Sequence, residues 1–481
     1  MLKPAIEISP KQAAGFMVLA WVAVIAYKFN DLFLPYYWDE MAGYMSGILY
    51  MADHGLSLLP SAVPPQMSYG HPLLLHVCMA AVLKVFGAQP FVMHSVTMLF
   101  TLLLSAGTYL LAFQISRNRF TALLAFLIFI SQPVVLAQST QVLLEMFLCM
   151  HTVFALLFYL RKQYWPAILF CTAGILTKET GLVLAIAFFA HILLELMLAA
   201  DKNALYKRLL MFSIPFLVFA GFLTLTKWSF GWYLNPVNVG KSKLEFASML
   251  QKIWDYPLEF TFVNQGRYYY TILLLLSLVL LFAGKAHKAA RGNMDVVLLI
   301  VYCFGFLLFS SIADALERYF LLLMPFAALV FAMSVASFRR YNRYLPLVLC
   351  AGGIGFGLLH LESNKRYTEV DMGYRHMVRT NQAVFNYVNS HLYSNDTIGF
   401  AFPFQYAPAD PRFGYYKEKH FTSDTSFSIS CAYKVYTSPG NMDWNPPDTA
   451  RYTLVKSFHS GYSGAYLYKR RSIKQKSEIR R

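Results

Sequence analysis

Tyr36-Tyr37-Trp38-Asp39-Glu40 follows the first long apolar run of the chain and sets two adjacent carboxylates among aromatic residues. Charges this close to a bilayer are costly unless they are used, so acids at the mouth of a membrane helix mark a functional site by default. Neighbouring residues on a helix point about 100° apart, so one carboxylate is free to face a substrate while the other braces it. The competing reading is a solvated acidic pair at a helix end, with Tyr36, Tyr37 and Trp38 forming an interfacial aromatic belt.

Working outward, the composition fixes the class. The 481 residues are 57% hydrophobic, 17% aromatic and only 14% charged, whereas soluble domains carry about 25% charged residues. This is a mainly α, polytopic membrane bundle. The net charge of +16 sits in short basic clusters between apolar runs, which reads as topology and not as a nucleic-acid surface. Five of the six cysteines lie in apolar segments and Cys431 stands alone, so neither a disulfide framework nor a metal knuckle is expected. The first run has no small-residue cleavage site and reads as a retained helix.

Eleven runs approach the roughly 20 residues that a bilayer core requires. They are Ala13 to Phe29, Phe91 to Ile115, Phe120 to Ala137, Met146 to Leu160, Tyr164 to Leu176, Leu182 to Leu198, Leu209 to Leu225, Tyr268 to Phe282, Met294 to Ile312, Tyr319 to Ser337 and Leu345 to Leu361. Pro72 to Phe86 is shorter and carries His76 and Lys84. If it lies at the interface, alternate loops hold Lys3 and Lys11; Arg117 and Arg119; Arg161 and Lys162; Lys202, Lys207 and Arg208; Lys285, Lys288 and Arg291; and Arg339, Arg340 and Arg343. Every short basic cluster then faces the cytoplasm, as the positive-inside rule requires. If the segment crossed, the later clusters would flip outside, so an interfacial helix is expected within a first outer loop spanning 31–90.

The other face then collects Asp39, Glu40, His71, Glu145, Lys178, Glu179 and Glu317-Arg318-Tyr319. These charges are few, mixed in sign and placed at helix mouths, the pattern of a binding or catalytic cleft. A transporter or flippase of lipid-linked saccharides would instead place charges near the midplane on broken helices related by an internal repeat.

From about Glu362 onward Asn, Asp, Ser and Tyr replace Leu. Thr380 to Leu392 has helical periodicity. Thr397 to Phe402, Ala432 to Tyr436, Arg451 to Phe458 and Ala465 to Tyr468 read as strands, the last two joined by the turn Ser460 to Gly464. The expected division is a transmembrane domain over 1–361 and a small extracytoplasmic α/β domain over 362–481, ending in the basic tail Lys469 to Arg481.

Each candidate has a competing structural reading. His71 precedes Pro72, which suits a first helical turn, and is either a phosphate or hydroxyl donor or a loop histidine. Glu145 is a second acid in the cleft or a solvated end residue. Lys178 stands outside against the charge rule, as an anion ligand or as the local partner of Glu179. Arg318 presents a fork suited to phosphate oxygens, or snorkels to the interface. Arg267, before Tyr268 to Tyr270, is a second possible donor or a helix-end anchor. Gly43 and Gly47 read as close-packing positions.

Taken in order, Asp39-Glu40, His71-Pro72 with Phe86-Gly87, Glu145, Lys178 and Arg318-Tyr319 form a series that resembles the GT-C class of membrane glycosyltransferases. The likeness is to the protein O-mannosyltransferase and lipid A aminoarabinose transferase relatives, over roughly residues 10 to 340. Three departures stand out: His71-Pro72-Leu73 replaces a double proline, Glu145 replaces an aspartate, and Thr-Lys-Glu-Thr-Gly replaces Lys-Gly-Pro. The resemblance implies transfer of a hexosyl or pentosyl group from a polyprenyl-phosphate donor to a glycan, lipid or protein acceptor outside the cytoplasm, with inversion. It implies no cofactor and no metal. By position, Asp39 is the base or acceptor-orienting group, Glu40 its partner and Glu145 a second acid. Lys178, Arg318, His71, Tyr319 and Arg267 fall to the donor-phosphate side. The loop from Lys227 to Arg267 is too short for the β-trefoil of eukaryotic protein mannosyltransferases.

Overall fold

The computed structural model describes residues 7–199, 202–240, 246–283, 294–312, 315–363, 368–391, 396–402, 404–424, 427 and 431–471. Lys3, the Lys285, Lys288 and Arg291 cluster, and all but the first residues of the expected basic tail lie outside these ranges.

Helix α1 (Pro10–Lys28) starts on a capping box, with the Ser9 hydroxyl accepting from Gln12 and Pro10 at the first helical position. Between α1 and the next long helix run α2 (Ser46–His54) and α3 (Leu74–Phe86). Then follow α4 (Pro90–Ser116), α5 (Arg119–Ile130), α6 (Pro133–Gln138), α7 (Leu144–Leu160), α8 (Tyr164–Thr177) and α9 (Leu182–Leu198). The second half holds α10 (Asn203–Met211), α11 (Ile214–Phe230), the short α12 (Pro236–Gly240), α13 (Phe246–Ile253) and α14 (Glu259–Phe262), α15 (Tyr268–Ala283), α16 (Met294–Ile312), α17 (Met324–Ser337) and α18 (Leu345–Leu359).

Among the described residues six helical stretches are long and apolar enough to cross a membrane: Pro10–Phe33, Pro90–Ser116, Glu179–Leu198, Asn203–Phe230, Met294–Ile312 and Glu317–Arg340. Six further apolar helices have 10–17 residues, and five of them fall on expected spans. Among the described residues, length and composition thus mark six helices able to cross alone, and all eleven expected runs fall on these or on the shorter apolar helices. The sixth short helix, α3, has 13 residues. At 1.5 Å per residue it reaches about 20 Å, short of a core of about 30 Å.

Two expected spans are broken, for identifiable reasons. The run Phe120 to Ala137 ends as a helix at Ile130, because Pro133 holds Gln132 extended before α6 restarts. The run opening at Tyr319 begins as a 3₁₀ turn, Glu317–Leu323, before α17 takes over. That tighter turn lays Arg318 against the interior. Burial separates centre from rim: α7 is buried on nearly every side, whereas α1 buries only Ala13, Met17 and Lys28.

The carboxylate pair opens a π-helix, Glu40–Met45, that runs into α2. Gly43 is obligatory there, since a Cβ would lie 2.0 Å from Cε2 of Tyr69; one at Gly47 would lie 2.4 Å from the Met67 carbonyl. The Tyr69 ring is not free to yield, because its hydroxyl donates to Asp39. Gly43→Ala is expected to cost about 1–3 kcal/mol of stability as overpacking. A thermal unfolding midpoint in detergent equal to that of the parent chain would refute this.

After α18 come α19 (Tyr374–His391) and a five-stranded sheet of β1 (Thr397–Phe400), β2 (Thr422–Asp424), β3 (Tyr433–Ser438), β4 (Tyr452–Ser460) and β5 (Ser463–Arg470). The order is β2-β1-β3-β5-β4, with β1 parallel to β2 and β3, and β5 antiparallel to β3 and β4. The four expected strands are present, β4 and β5 as a hairpin turning at Gly461. The short β2 carries no alternating apolar pattern and was not anticipated.

This region is fastened to the bundle. The Tyr36 N–H donates to the Phe413 carbonyl at 3.1 Å, and the Tyr415 hydroxyl to the Tyr36 carbonyl at 3.0 Å. Arg412 grips Asp53 on α2 through both terminal nitrogens, at 3.1 and 2.9 Å. At the end of α1, Asp31 receives Lys28 at 2.5 Å, the Tyr374 hydroxyl at 3.0 Å and Arg375 at 2.7 Å. The segment carrying Asp39 is thus clamped on both sides by residues hundreds of positions later.

Candidate active site

Five charged side chains from five separate segments meet beneath this clamp. Asp39 is the N-cap residue of the π-helix Glu40–Met45, Glu145 sits in the first turn of α7, and Lys178 follows the last residue of α8. Arg318 lies in the 3₁₀ turn before α17, and Glu369 in the link from α18 to α19. The basic residues Arg117, Arg161 and Arg339 stand at the opposite ends of α4, α7 and α17.

Arg318 is the hub. It is 3% exposed, and its Nη2 donates to Asp39 Oδ2 at 2.7 Å while its Nη1 donates to Glu369 Oε2. Its Nε lies 3.8 Å from Glu145 Oε1. The same Glu145 oxygen accepts from Lys178 Nζ at 2.7 Å, and that ammonium rests 3.5 Å over the Tyr319 ring. Burial works against the Lys178 charge, but Glu145 and Tyr319 outweigh it and hold its pKa above the usual value. Asp39 also accepts from the Tyr69 hydroxyl at 3.2 Å. Burial first, and the Asp39 charge next, raise the Tyr69 phenol well above its usual range, so this hydroxyl keeps its proton.

Three carboxylates, Asp39, Glu145 and Glu369, therefore share two cations, Lys178 and Arg318. The imbalance bears on Glu369, whose pKa is raised by burial; the pull of Arg318 opposes the rise and the Asp39 charge adds to it. Replacing buried ion pairs with apolar residues is often neutral or stabilising, so packing alone does not account for such a cluster. Several polar atoms here are unsatisfied: among the described residues Glu145 Oε2, Arg318 Nε, Gln138 Oε1 and both amide atoms of Gln141 have no hydrogen-bond partner although buried. These spare donors and acceptors are open to ordered water or to a polar ligand. Among the described residues no group of three His, Cys, Asp or Glu side chains is placed to hold a metal ion.

Backbone strain marks the same place. Trp38 and Tyr69 both adopt left-handed conformations, at φ 48° and 53°. Non-glycine residues there cost of order 1–3 kcal/mol each and cluster at functional sites. One strained residue precedes Asp39 and the other supplies the hydroxyl that touches it.

The remaining candidates stand apart from this centre. Glu40 turns away: its carboxylate accepts from the Tyr37 N–H at 3.1 Å, the Val142 N–H at 2.7 Å and His94 Nε2 at 3.0 Å. It thereby ties the Asp39 segment to the strand of chain entering α7, three residues before Glu145. His71 meets Glu179 at 2.7 Å, joining the first loop to the residue after Lys178. Arg267 is 1% exposed but spends its donors on the Phe260 carbonyl, Gln132 at 3.3 Å and Gln265 at 2.9 Å.

Sequence reading passed over Glu369, Tyr69 and His94. Glu369 lies in Thr368-Glu369-Val370-Asp371, two acids just beyond the last apolar run. The same reasoning that singled out Asp39 after the first apolar run applies to it. Tyr69 carries no charge and His94 lies inside an apolar helix, so nothing local distinguishes either.

Comparison with sequence families and with curated proteins finds no match for this chain. Among solved structures it is similar to two crystal structures of ArnT from Cupriavidus metallidurans, one bound to undecaprenyl phosphate, with a TM-score of 0.55, and one in the apo state, with a TM-score of 0.52. Both are 12% identical in sequence, over 95% of this chain and 98% of that one. The chain thus has the fold of ArnT, an aminoarabinose transferase of the GT-C class: a helical membrane bundle followed by a small sheet region. That is the fold the sequence resemblance implied.

Proposed function

We propose that this chain is a glycosyltransferase that moves a hexosyl or pentosyl group from a polyprenyl-phosphate donor to an extracytoplasmic acceptor by inverting displacement. The observation that carries the reading is the single buried centre in which Asp39 touches Arg318 and Glu145 touches both Arg318 and Lys178. It occurs in a chain sharing its fold with a protein crystallised with undecaprenyl phosphate.

The chemistry follows from the charges. The acceptor hydroxyl or amine attacks the anomeric carbon, its bond to that carbon forms, and the bond from that carbon to the phosphate oxygen breaks. The electron pair leaves on the phosphate. A phosphate leaving group needs cations more than a protonating acid, and Arg318 and Lys178 supply them in a site closed to water. Asp39 takes the acceptor proton as general base. Glu145 orients Lys178, and Tyr319 supports it from below. Glu40 and His71 act at one remove, each holding a segment that presents a reacting group, while Arg267 braces the turn before α15.

In this reading the protein lies in the inner (plasma) membrane, with the N-terminus cytoplasmic and the 362–481 region outside, completing the site built by 1–361. A flippase for lipid-linked saccharides is the second reading. It would draw on charges deep in several helices, whereas the centre described here is built at helix ends.

The test is release of polyprenyl phosphate from a polyprenyl-phosphate sugar supplied to the purified chain in nanodiscs with a membrane glycan or lipid extract as acceptor. Lys178→Ala removes one charge-assisted contact, of about 1.5–3 kcal/mol. It is expected to weaken undecaprenyl phosphate binding by roughly 10- to 100-fold. Binding equal to that of the parent would remove Lys178 from the donor site.

A further inference from the structure

Both terminal nitrogens of Arg318 are already engaged. One prong of its guanidinium holds Asp39 and the other holds Glu369, so two carboxylates from distant segments occupy the geometry in which a guanidinium receives two phosphate oxygens. The second oxygen of Glu369 accepts from the Asp39 N–H at 3.2 Å. Charge makes this occupancy consequential. Three carboxylates already exceed two cations. A phosphate added to an unchanged cluster would bury at least one more negative charge, and uncompensated buried charge costs several kcal/mol per ion. One carboxylate has to yield.

The three are not equally held. Asp39 keeps a second side-chain partner in Tyr69, and Glu145 keeps one in Lys178 on the regular backbone of α7. Glu369 lies on irregular backbone between α18 and α19, and among the described residues its hydrogen-bond partners are Arg318 and the Asp39 N–H. It is the residue whose departure disturbs least.

We propose that Glu369 is a competitor for the donor phosphate: its carboxylate holds Arg318 and gives way when the lipid phosphate arrives. This rests on the polyprenyl-phosphate reading above. It makes the link after the last span a determinant of donor affinity, which selects against anions too weakly bound to displace it.

The probe is undecaprenyl phosphate, titrated against the full chain and against Glu369→Gln in nanodiscs. The glutamine keeps the shape and a hydrogen-bond acceptor for Arg318 while removing the competing charge, and is expected to bind at least tenfold more tightly. Equal or weaker binding by a variant with an unchanged melting temperature would overturn the proposal while leaving the donor reading in place. Absence of binding by both chains would overturn the donor reading and the proposal together. A second measurement needs no variant. Addition of undecaprenyl phosphate to the parent chain is expected to speed hydrogen exchange at the Asp39 amide, whose present acceptor is Glu369; slower or unchanged exchange would count against it.

Discussion

Asp39→Asn is expected to lower the turnover number for sugar transfer by roughly 10²- to 10⁴-fold, the usual contribution of a positioned general base, while the chain still folds. Asparagine preserves the shape of the side chain but keeps only one of the two oxygens that accept from Arg318 at 2.7 Å and from Tyr69 at 3.2 Å. One of these contacts is weakened, and the capacity to take a proton disappears. The loss should therefore fall on the turnover number and leave donor binding intact or tighter, since one competing negative charge has gone. Transfer at the parental rate by a folded variant would end the case for Asp39 as the base.

The largest structural effect should come from Arg318→Met. Removing one partner of a buried ionic network leaves charge unpaired and costs about 3–5 kcal/mol. Here Asp39, Glu369 and Glu145 would be left with Lys178 alone. The variant is expected to melt well below the parent in detergent and to lose donor binding. The double change Arg318→Met with Glu369→Gln isolates the cause, because residues in one network couple by about 0.5–3 kcal/mol. Part of the lost stability should return in the double variant. If the two changes simply add, the pairing seen here contributes nothing to folding.

Much of this centre was readable from sequence because membrane chains place charge sparingly. Asp39, Glu145, Lys178 and Arg318 were singled out one by one, as ionic residues at the ends of apolar runs, and the structure brings these four together. Glu40 was singled out on the same ground, yet its carboxylate is saturated by His94 and two backbone N–H groups. Charge and position do not reveal which of two adjacent acids turns inward when a π-helix replaces the α-helix. Arg267 likewise met every local criterion for a phosphate ligand, but a carbonyl and two glutamine side chains claim its donors.

Sequence by itself determined that the chain is a helical membrane bundle with a small mixed region after it. It also determined that ionic residues collect at one set of helix ends. Apolar run length and loop charge are local properties, and a bilayer imposes them on any chain. Only tertiary structure decided who pairs with whom. Asp39 and Arg318 are 279 positions apart, and Arg318 and Glu369 51. Their contacts follow from helix packing and from a clamp at residues 374, 375, 412 and 415, none of which has a local signature. Ion pairing depends on distance in space, and sequence separation carries no information about it until the helices are packed.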